Sequence, residues 1–400
     1  MTGLILVAVA AASAGRLALA VIADAVRPSP CFVSHYVLAR LLRDGIDLVR
    51  SYDDPWFAEQ VSRVTPGITD INVNPPTSAL LLLPVASLGY REARIAWTLF
   101  SVLLLAVTAA VVIREAGLHD AWRWVFVIVL LLFQPLAANF HMANAYVLLL
   151  ALATLAWHGY RHGRDGALGI ALGLMLAIKV AGAFLWLLLI VERRWRALAW
   201  ASGTAAAVAL GSLPWIGWAA WRADAAALAG VAGRPERAVT AYQTVLGIFR
   251  HLLTADPTWN PAPVLVEPRL ATALVILVSL ALVVALVLAT RRMPGNDRLF
   301  AAYLAAGVVL SPLSLDYTYT LMLVPVAVAL VEARELHSWW AWGLFATAVV
   351  AIGADLPYRS PHLASGAWAL LAYPKLYGAG MLLALLLAAP RPRNALPADA

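Results

Sequence analysis

Residues 268–292 read PRLATALVILVSLALVVALVLATRR, and this stretch decides the fold class of the chain. Between Arg269 and Arg291 it contains 21 consecutive residues without a charge. A helix needs about 20 apolar residues to cross the hydrocarbon core of a bilayer. The stretch therefore predicts a membrane-spanning helix with an arginine at each end.

The composition extends this prediction to the whole chain. Of its 400 residues, 62% are hydrophobic and 13% are charged, and the mean hydropathy is +0.80. Soluble globular domains carry about 25% charged residues. The net charge of +7 comes from cations that gather in short connections between apolar runs, where cations set membrane topology. We therefore predict a polytopic membrane protein with no nucleic-acid partner.

The fold class that we predict is all-α, with about twelve transmembrane helices in a single domain over residues 1–400. The apolar start, LILVAVAAASAGRLALAVIA, lacks a strong basic segment before it and a convincing cleavage site, so we expect a retained first span rather than a signal peptide. The predicted spans begin near residues 4, 93, 122, 144, 166, 183, 196, 269, 298, 318, 339 and 369.

Arginines occur in every second connection between these spans, and the positive-inside rule places such connections in the cytoplasm. Both termini are then cytoplasmic. The composition, rich in Ala, Leu and Arg, indicates a bacterial plasma membrane. The arginines concerned are Arg114 and Arg123, Arg161 and Arg164, Arg193, Arg194 and Arg196, Arg291, Arg292 and Arg298, Arg334, and Arg391 and Arg393.

Two long segments fall on the outer side, at residues 27–92 and 217–268. The first contains PPTSALLLLPVASLG, residues 75–89, which is short for a span and contains three prolines. We predict that it forms a re-entrant or juxtamembrane helix and does not cross. This arrangement leaves Arg91 and Arg94 outside, against the positive-inside rule unless they bind an anion.

Ionisable residues next to apolar spans are costly, so each is a candidate for function. Lys179 lies between two short apolar runs, where a lipid phosphate is a natural partner, although a lysine can also extend its side chain to the interface. Asp316 and Asn144 each begin a predicted span, so each has either a site role or a capping role. His141 is a weaker candidate beside Asn144.

The two outer loops supply further candidates. Arg250 follows Gln243 on an amphipathic pattern and could form two hydrogen bonds to a phosphate, or lie on a solvated helix face. Asp53 and Asp54 precede a proline, so they could cap a helix or bind and deprotonate a sugar hydroxyl. The sequence contains no Walker-type glycine loop, no Cys/His metal cluster and no defensible Ser-His-Asp set, so we expect no metal and no cofactor.

Six segments on the predicted outer side carry most of these polar residues. In chain order they resemble glycosyltransferase family 87 (DUF2029) of the GT-C superfamily, over nearly the whole chain. The segments are GIDLVRSYDDPWF (45–57), NPPTSALLLLP (74–84), HMANAYVLLLAL (141–152), AIKVAGAFLWLLLIVERRWRAL (177–198), YQTVLGIFRHL (242–252) and LSPLSLDYTYTLMLVP (310–325).

The resemblance implies a GT-C-like fold and a sugar transferase that acts at the outer leaflet. Its donor would be a polyprenyl-phosphate sugar, mostly a mannosyl donor, and its acceptor a lipid-linked or other glycan. Position by position, Pro75 and Pro76 match the family's Tyr-Pro-Pro, with Asn74 at the tyrosine. The other matches are Asn144, Lys179, Gln243, Thr244, Gly247, Arg250, Ser311, Pro312 and Ser314.

The first outer loop departs from the family at Cys31. The resemblance implies a carboxylate there, the family's presumed catalytic base, where this chain reads CFVSHY. The base must then lie elsewhere, be replaced or be lost. We expect Asp54 or Asp53 as the base, with His35 as the second choice because imidazole titrates near neutrality.

An inverting transfer also needs cations beside the departing lipid phosphate. We expect Lys179 and Arg250 in that role, with Arg91 or Arg94 as alternates, and we expect all these groups to open onto one outer cavity. The complete set of expected donor-binding residues is Lys179, Arg250, Asn144, Asp316 and Gln243.

Two other functions stay open at this point. The absence of the carboxylate at position 31 is compatible with a non-catalytic relative that binds a lipid-linked glycan. A transporter of lipid or solute would place its polar groups at the middle of the bilayer, between broken helices. The position of the cavity distinguishes a transporter from an interfacial enzyme.

Overall fold

The computed structural model describes residues 2–388, and those residues form helices and no strand. The all-α prediction is therefore confirmed for this part of the chain. The α-helices are α1 (Thr2–Asp24), α2 (Pro30–Arg43), α3 (Asp54–Val64), α4 (Tyr90–Glu115), α5 (Asp120–Leu132), α6 (Gln134–Met142), α7 (Tyr146–Arg161), α8 (Asp165–Lys179), α9 (Ala183–Val191), α10 (Trp195–Gly230), α11 (Val245–Leu253), α12 (Pro268–Arg292), α13 (Asp297–Leu310), α14 (Leu323–Leu336), α15 (Trp339–Gly353) and α16 (Pro374–Leu387).

Four of these helices, α1, α4, α10 and α12, are long and apolar enough to cross a membrane. Two bent pairs add up to two more spans: α5 with α6, at 45°, and the 3₁₀ helix Gly366–Ala372 with α16, at 52°. The protein is thus a multi-pass membrane protein. The predicted count of about twelve spans is not confirmed, because many of the apolar runs form helices of only 9 to 16 residues.

The centre of the bundle is formed by α13 and α14. Both have only 14 residues, and both are buried on nearly all sides. A helix that is apolar all round lies in the interior of a large protein or membrane bundle. By contrast, α12 leaves most of its length exposed, which is expected of a helix that faces lipid.

Helices α8 and α10 make a close contact through small residues. A Cβ atom built on Gly169 would lie 2.3 Å from the carbonyl oxygen of Ala197, and one on Gly173 would lie 2.6 Å from that of Ala201. Both pairs are four residues apart, the spacing at which small residues let two membrane helices approach. This contact fixes α8, and with it the lysine at its end.

The arginine-bearing connections that were predicted to share one side do lie at one end of the bundle. Arg161 pairs with Asp297 at 2.9 Å, and Arg298 pairs with Glu332 at 3.2 Å. Tyr160 donates a hydrogen bond to Glu192 at 2.7 Å. We call this the arginine-rich end. Arg391 and Arg393 lie outside the described residues.

The opposite end, which we call the site end, carries both long loops. Helices α2 and α3 pack with the part of α10 beyond Gly217, where the backbone leaves helical geometry at φ 77°. Residues 75–89 form two short 3₁₀ helices, Pro76–Leu81 and Leu83–Val85, that begin and end at this same end. Neither 3₁₀ helix is among those long and apolar enough to cross a membrane, and the re-entrant or juxtamembrane placement stays a prediction.

Candidate functional site

A cavity of about 370 Å³ opens at the site end, among the ends of several helices. Its volume lies within the range of small-molecule sites. Polar side chains from α2, from the loop before residue 75 and from the ends of α7 and α8 form one wall. The polar lining residues are Cys31, Ser34, His35, Asp70, Asn74, Asn144, Tyr146, Lys179, Arg237, Tyr242, Ser311, Tyr317 and Thr318, with Tyr303 on α13.

Lys179 is the last residue of α8 and reaches into this cavity. Its ammonium donates a hydrogen bond to Oδ1 of Asn74 at 2.8 Å and lies 5.5 Å from the ring centre of Tyr146. Val180 ends the helix in the left-handed conformation, at φ 50°, which is unfavourable for a β-branched residue. Such strain is retained where the surrounding structure imposes it, often at functional sites.

The turn before α7 forms a second strained corner of the cavity. Ala143 has φ 44°, and Asn144 beside it is 1% exposed and lines the cavity. Oδ1 of Asn144 accepts a hydrogen bond from the backbone N–H of Ala145 at 2.7 Å. Asn144 therefore contacts the adjacent backbone without capping α7, and it lies on the cavity wall.

Helix α2 presents Cys31 and His35 to the cavity. Burial raises the pKa of the Cys31 thiol, so Cys31 is a neutral thiol at ordinary pH and a poor proton acceptor. Nδ1 of His35 lies 2.7 Å from the backbone carbonyl of Cys31, which can only accept, so Nδ1 carries the proton. Among the residues that the structure describes, none bonds to Nε2 of His35, which is left as an acceptor.

Asp70 is the carboxylate of the cavity wall, and the sequence analysis missed it. It is the one carboxylate among the described residues that line the cavity. Ser34 of α2 donates a hydrogen bond to Oδ2 of Asp70, and the backbone N–H of Ile71 donates to Oδ1 at 2.9 Å. Burial raises the pKa of the Asp70 carboxyl group.

Part of the cavity lining is apolar. Leu304, Gly307 and Val308 of the central helix α13 contribute to it, together with Phe184 at the start of α9 and Leu228 of α10. Arg237 also lines the cavity, with its guanidinium group 4.4 Å from the ring centre of Tyr242. The cavity lining therefore combines cationic and hydrogen-bonding groups with apolar side chains.

Asp53 and Asp54 do not lie in this cavity. Asp53 is exposed and caps α3, because its side chain accepts a hydrogen bond from the backbone N–H of Trp56 at 3.2 Å. Asp54 forms an ion pair with Arg234 at 3.0 Å and so ties α3 to the second outer loop. The expectation that these carboxylates and Lys179 share one cavity is therefore wrong.

Contrary to the prediction, three of the expected donor-binding residues are not among the described residues that line the cavity. Arg250 donates hydrogen bonds to backbone carbonyls of Ala232, Gly233 and Arg234. Gln243 is fully buried, and its amide nitrogen donates to the carbonyls of Thr240 and Ala372, each at 2.7 Å. Asp316 pairs with Arg359 at 2.7 Å and accepts a hydrogen bond from Tyr358. These contacts stabilise the loops around the cavity.

The two alternates for phosphate binding lie on the first turns of α4 and do not line the cavity. Arg91 is exposed. Arg94 is 1% exposed and donates to the backbone carbonyl of His141 at 2.9 Å. His141 itself lies 3.1 Å from a carboxylate oxygen of Asp24, so its contacts hold α1 to α6.

His35, Asn144 and Lys179 are the predicted residues that the structure brings together in the cavity.

A second polar cluster lies at the arginine-rich end, and it consists of residue types that bind metal ions in other proteins. The side chains of Glu115, His158 and His162 offer ligand atoms within 4.8 Å of one another. They are already joined by hydrogen bonds of 2.9 and 2.8 Å, and Arg114 and Arg164 lie 3.2 and 3.3 Å from two of these side chains. Because guanidinium groups repel a cation, the chemistry of this cluster favours an internal ion-pair network.

Comparison with known protein families gives a match over the middle of the chain. The family model described as glycosyltransferase family 87 matches residues 72–315, more than half of the chain. The matched range includes Asn74, Asn144, Lys179 and Arg237, and it begins just after Asp70 and α2. No curated protein and no solved structure matches the chain in the same comparison.

Proposed function

The chain belongs to glycosyltransferase family 87, and from that premise we propose that it is a membrane transferase that uses a polyprenyl-phosphate sugar as donor. It would move a hexosyl unit, most simply mannosyl, to a lipid-linked or other glycan acceptor at the outer leaflet of a bacterial plasma membrane. The anomeric carbon would be inverted, because the donor bond breaks as the acceptor bond forms.

One observation carries this proposal: Lys179 lies in a cavity that is lined by both polar and apolar side chains. A polyprenyl-phosphate sugar is itself amphipathic, with an anionic phosphate between a sugar and a hydrocarbon chain. The ammonium of Lys179 suits the phosphate, and the α13 wall with Leu304 and Val308 suits the first part of the prenyl chain. The polar groups lie at one end of the bundle, which favours an interfacial enzyme over a transporter.

In this reaction an acceptor hydroxyl oxygen attacks the anomeric carbon of the donor sugar. The bond between that carbon and the phosphate oxygen breaks, and its electron pair remains on the lipid phosphate. Lys179 and Arg237 stabilise the charge that develops on the phosphate, in a cavity where water screens charge weakly. Asn74 holds the Lys179 ammonium and so orients it before the donor binds.

The test compares Lys179→Gln with Arg91→Gln in protein reconstituted with a polyprenyl-phosphate mannose labelled in the sugar and a lipid extract as acceptor source. Arg91 is the matched control, because it is a cation at the same end that does not line the cavity. We expect Lys179→Gln to lower transfer by about 10²-fold or more, typical of lost transition-state charge stabilisation, and Arg91→Gln to keep nearly full activity. Equal activity of the two variants would contradict the proposal.

A non-catalytic relative that binds a lipid-linked glycan is the second candidate, favoured by the thiol at position 31. That protein would bind polyprenyl phosphate through Lys179 and show no transfer with any donor. Binding without turnover by the wild-type protein would therefore select this alternative.

A further inference from the structure

We propose that Asp70 is the general base of the transfer and that it takes the proton from the attacking acceptor hydroxyl. This inference rests on the proposed function and names the group that the reaction requires. Its starting point is that Asp70 is the one carboxylate among the described residues lining the cavity, whereas Asp53 and Asp54 are engaged outside it.

The contacts of Asp70 hold the carboxylate in place without exhausting its acceptor capacity. Ser34 bonds one oxygen and the N–H of Ile71 bonds the other. An ionised carboxylate can accept about four hydrogen bonds. The remaining lone pairs are available to a hydroxyl in the cavity.

The position of Ser34 explains how Asp70, a loop residue, comes to lie beside one face of α2. Ser34 follows Cys31 by three residues, so the two lie on the same face of the helix, one turn apart. Asp70 is bonded to that face through Ser34. A carboxylate from the 65–74 loop thus reaches the wall that carries the thiol of Cys31.

Lys179 distinguishes Asp70 from His35 as the proton acceptor. The positive charge of Lys179 favours an anionic carboxylate and opposes a second cation at His35. Burial, with Lys179, lowers the pKa of His35 to about 3, so the imidazole stays neutral. His35 is therefore a positioning residue whose free Nε2 accepts a hydrogen bond from a substrate hydroxyl.

Each bond that forms in this step is matched by a bond that breaks. The acceptor O–H bond breaks, its proton moves to Asp70, and the oxygen forms a bond to the anomeric carbon as the lipid phosphate departs. Because burial raises the pKa of Asp70, its carboxylate is a stronger base than that of an exposed aspartate. The proton then passes to water when the products leave.

The test uses Asp70→Asn, the double variant Cys31→Asp with Asp70→Asn, and the controls Asp53→Asn and Asp54→Asn in the full chain. Two quantities are measured for each: transfer from polyprenyl-phosphate mannose, and the dissociation constant of polyprenyl phosphate. We expect Asp70→Asn to lower kcat by about 10² to 10⁴-fold, the usual contribution of a general base, with lipid-phosphate binding retained. The controls should keep kcat within about threefold, since pairs and caps on the surface contribute little.

The double variant is the sharper half of the test, because it moves a carboxylate back to α2. The kcat of the double variant should be at least tenfold higher than that of Asp70→Asn. If the role of Asp70 were merely structural, the added carboxylate would not raise kcat. Asp70→Asn with kcat near that of wild type would overturn the assignment of Asp70. A wild-type protein that binds lipid phosphate and transfers nothing would instead overturn the proposed transferase function.

Discussion

Val180 is the residue whose conformation most directly sets the position of Lys179. Its φ of 50° is unfavourable by about 1 to 2 kcal/mol for an ordinary L-residue, whereas glycine adopts that conformation freely. We predict that Val180→Gly raises the midpoint of thermal unfolding in detergent and at the same time lowers kcat/KM, because Lys179 loses a rigid anchor. A variant with a lower midpoint would show that the valine side chain contributes more than its backbone costs.

The pH dependence of transfer follows from Asp70. Because burial raises the pKa of this carboxyl group, Asp70 becomes protonated at a higher pH than an exposed aspartate, whose pKa is about 3.9. A protonated carboxyl group cannot accept the hydroxyl proton. We therefore predict that kcat/KM falls on the acid side with a midpoint above the pKa of an exposed aspartate.

The same profile separates Asp70 from His35, whose imidazole is already neutral above about pH 3. His35→Gln should lower kcat/KM without moving the acid midpoint, and Asp54→Asn should leave both unchanged. An acid limb that disappears in His35→Gln would assign the titration to the imidazole and contradict this account.

Part of the site could be predicted from single residues, and part could not. Lys179 and Asn144 stand out because a polar group beside an apolar run is costly and needs a reason. Asp70 stands out less, because it lies in TDINVNPP, a polar loop with no periodicity, and its partner Ser34 is 36 residues away. Asp53 and Asp54 attracted attention as a pair beside aromatic residues, but the proline after them gives them ordinary helix-start roles.

At the level of helices, the contact between α8 and α10 determines where Lys179 lies. Gly169 meets the backbone carbonyl of Ala197, which cannot move like the end of a side chain. We predict that Gly169→Ala destabilises the protein by about 1 to 3 kcal/mol, the usual cost of overpacking, and lowers transfer because α8 carries Lys179. Thermal unfolding and activity in detergent measure both effects.

Gly203 is the matched control on the partner helix. A Cβ atom there would meet nothing within 4 Å, so Gly203→Ala should be neutral or more stable by up to about 1 kcal/mol through its helix propensity. Equal effects of the two substitutions would contradict the role of the α8–α10 contact.

The all-helical fold class was predictable from the many apolar runs in the sequence, but the number of crossings was not. The two runs on either side of Lys179 form helices of 15 and 9 residues joined at Val180 and Gly182. Whether such a short helix crosses the membrane alone or shares a crossing with the next helix depends on the neighbouring helices that cover its ends. The hydropathy of the sequence does not contain this information. The α5–α6 bend at Phe133 is a similar case.

Over the whole molecule, polar residues divide between two ends with different chemistry. Several charges at the arginine-rich end pair with one another, as in the Arg161–Asp297 pair, whereas the site end leaves Lys179, Asp70 and His35 around a cavity. The positive-inside rule places the first end in the cytoplasm and the cavity at the outer leaflet. This orientation is a prediction about the molecule in its membrane.

The single cysteine makes that orientation directly measurable. In a Cys31→Ser background, Thr258→Cys would add a thiol on the exposed outer loop, and Arg292→Cys would add one at the exposed end of α12. Only α12 separates the two positions, so they must lie on opposite sides if this helix crosses. We predict that a membrane-impermeant maleimide labels the thiol at 258 in intact cells and the thiol at 292 only after permeabilisation. The reverse pattern would place the cavity in the cytoplasm, and labelling of both thiols in intact cells would show that α12 does not cross.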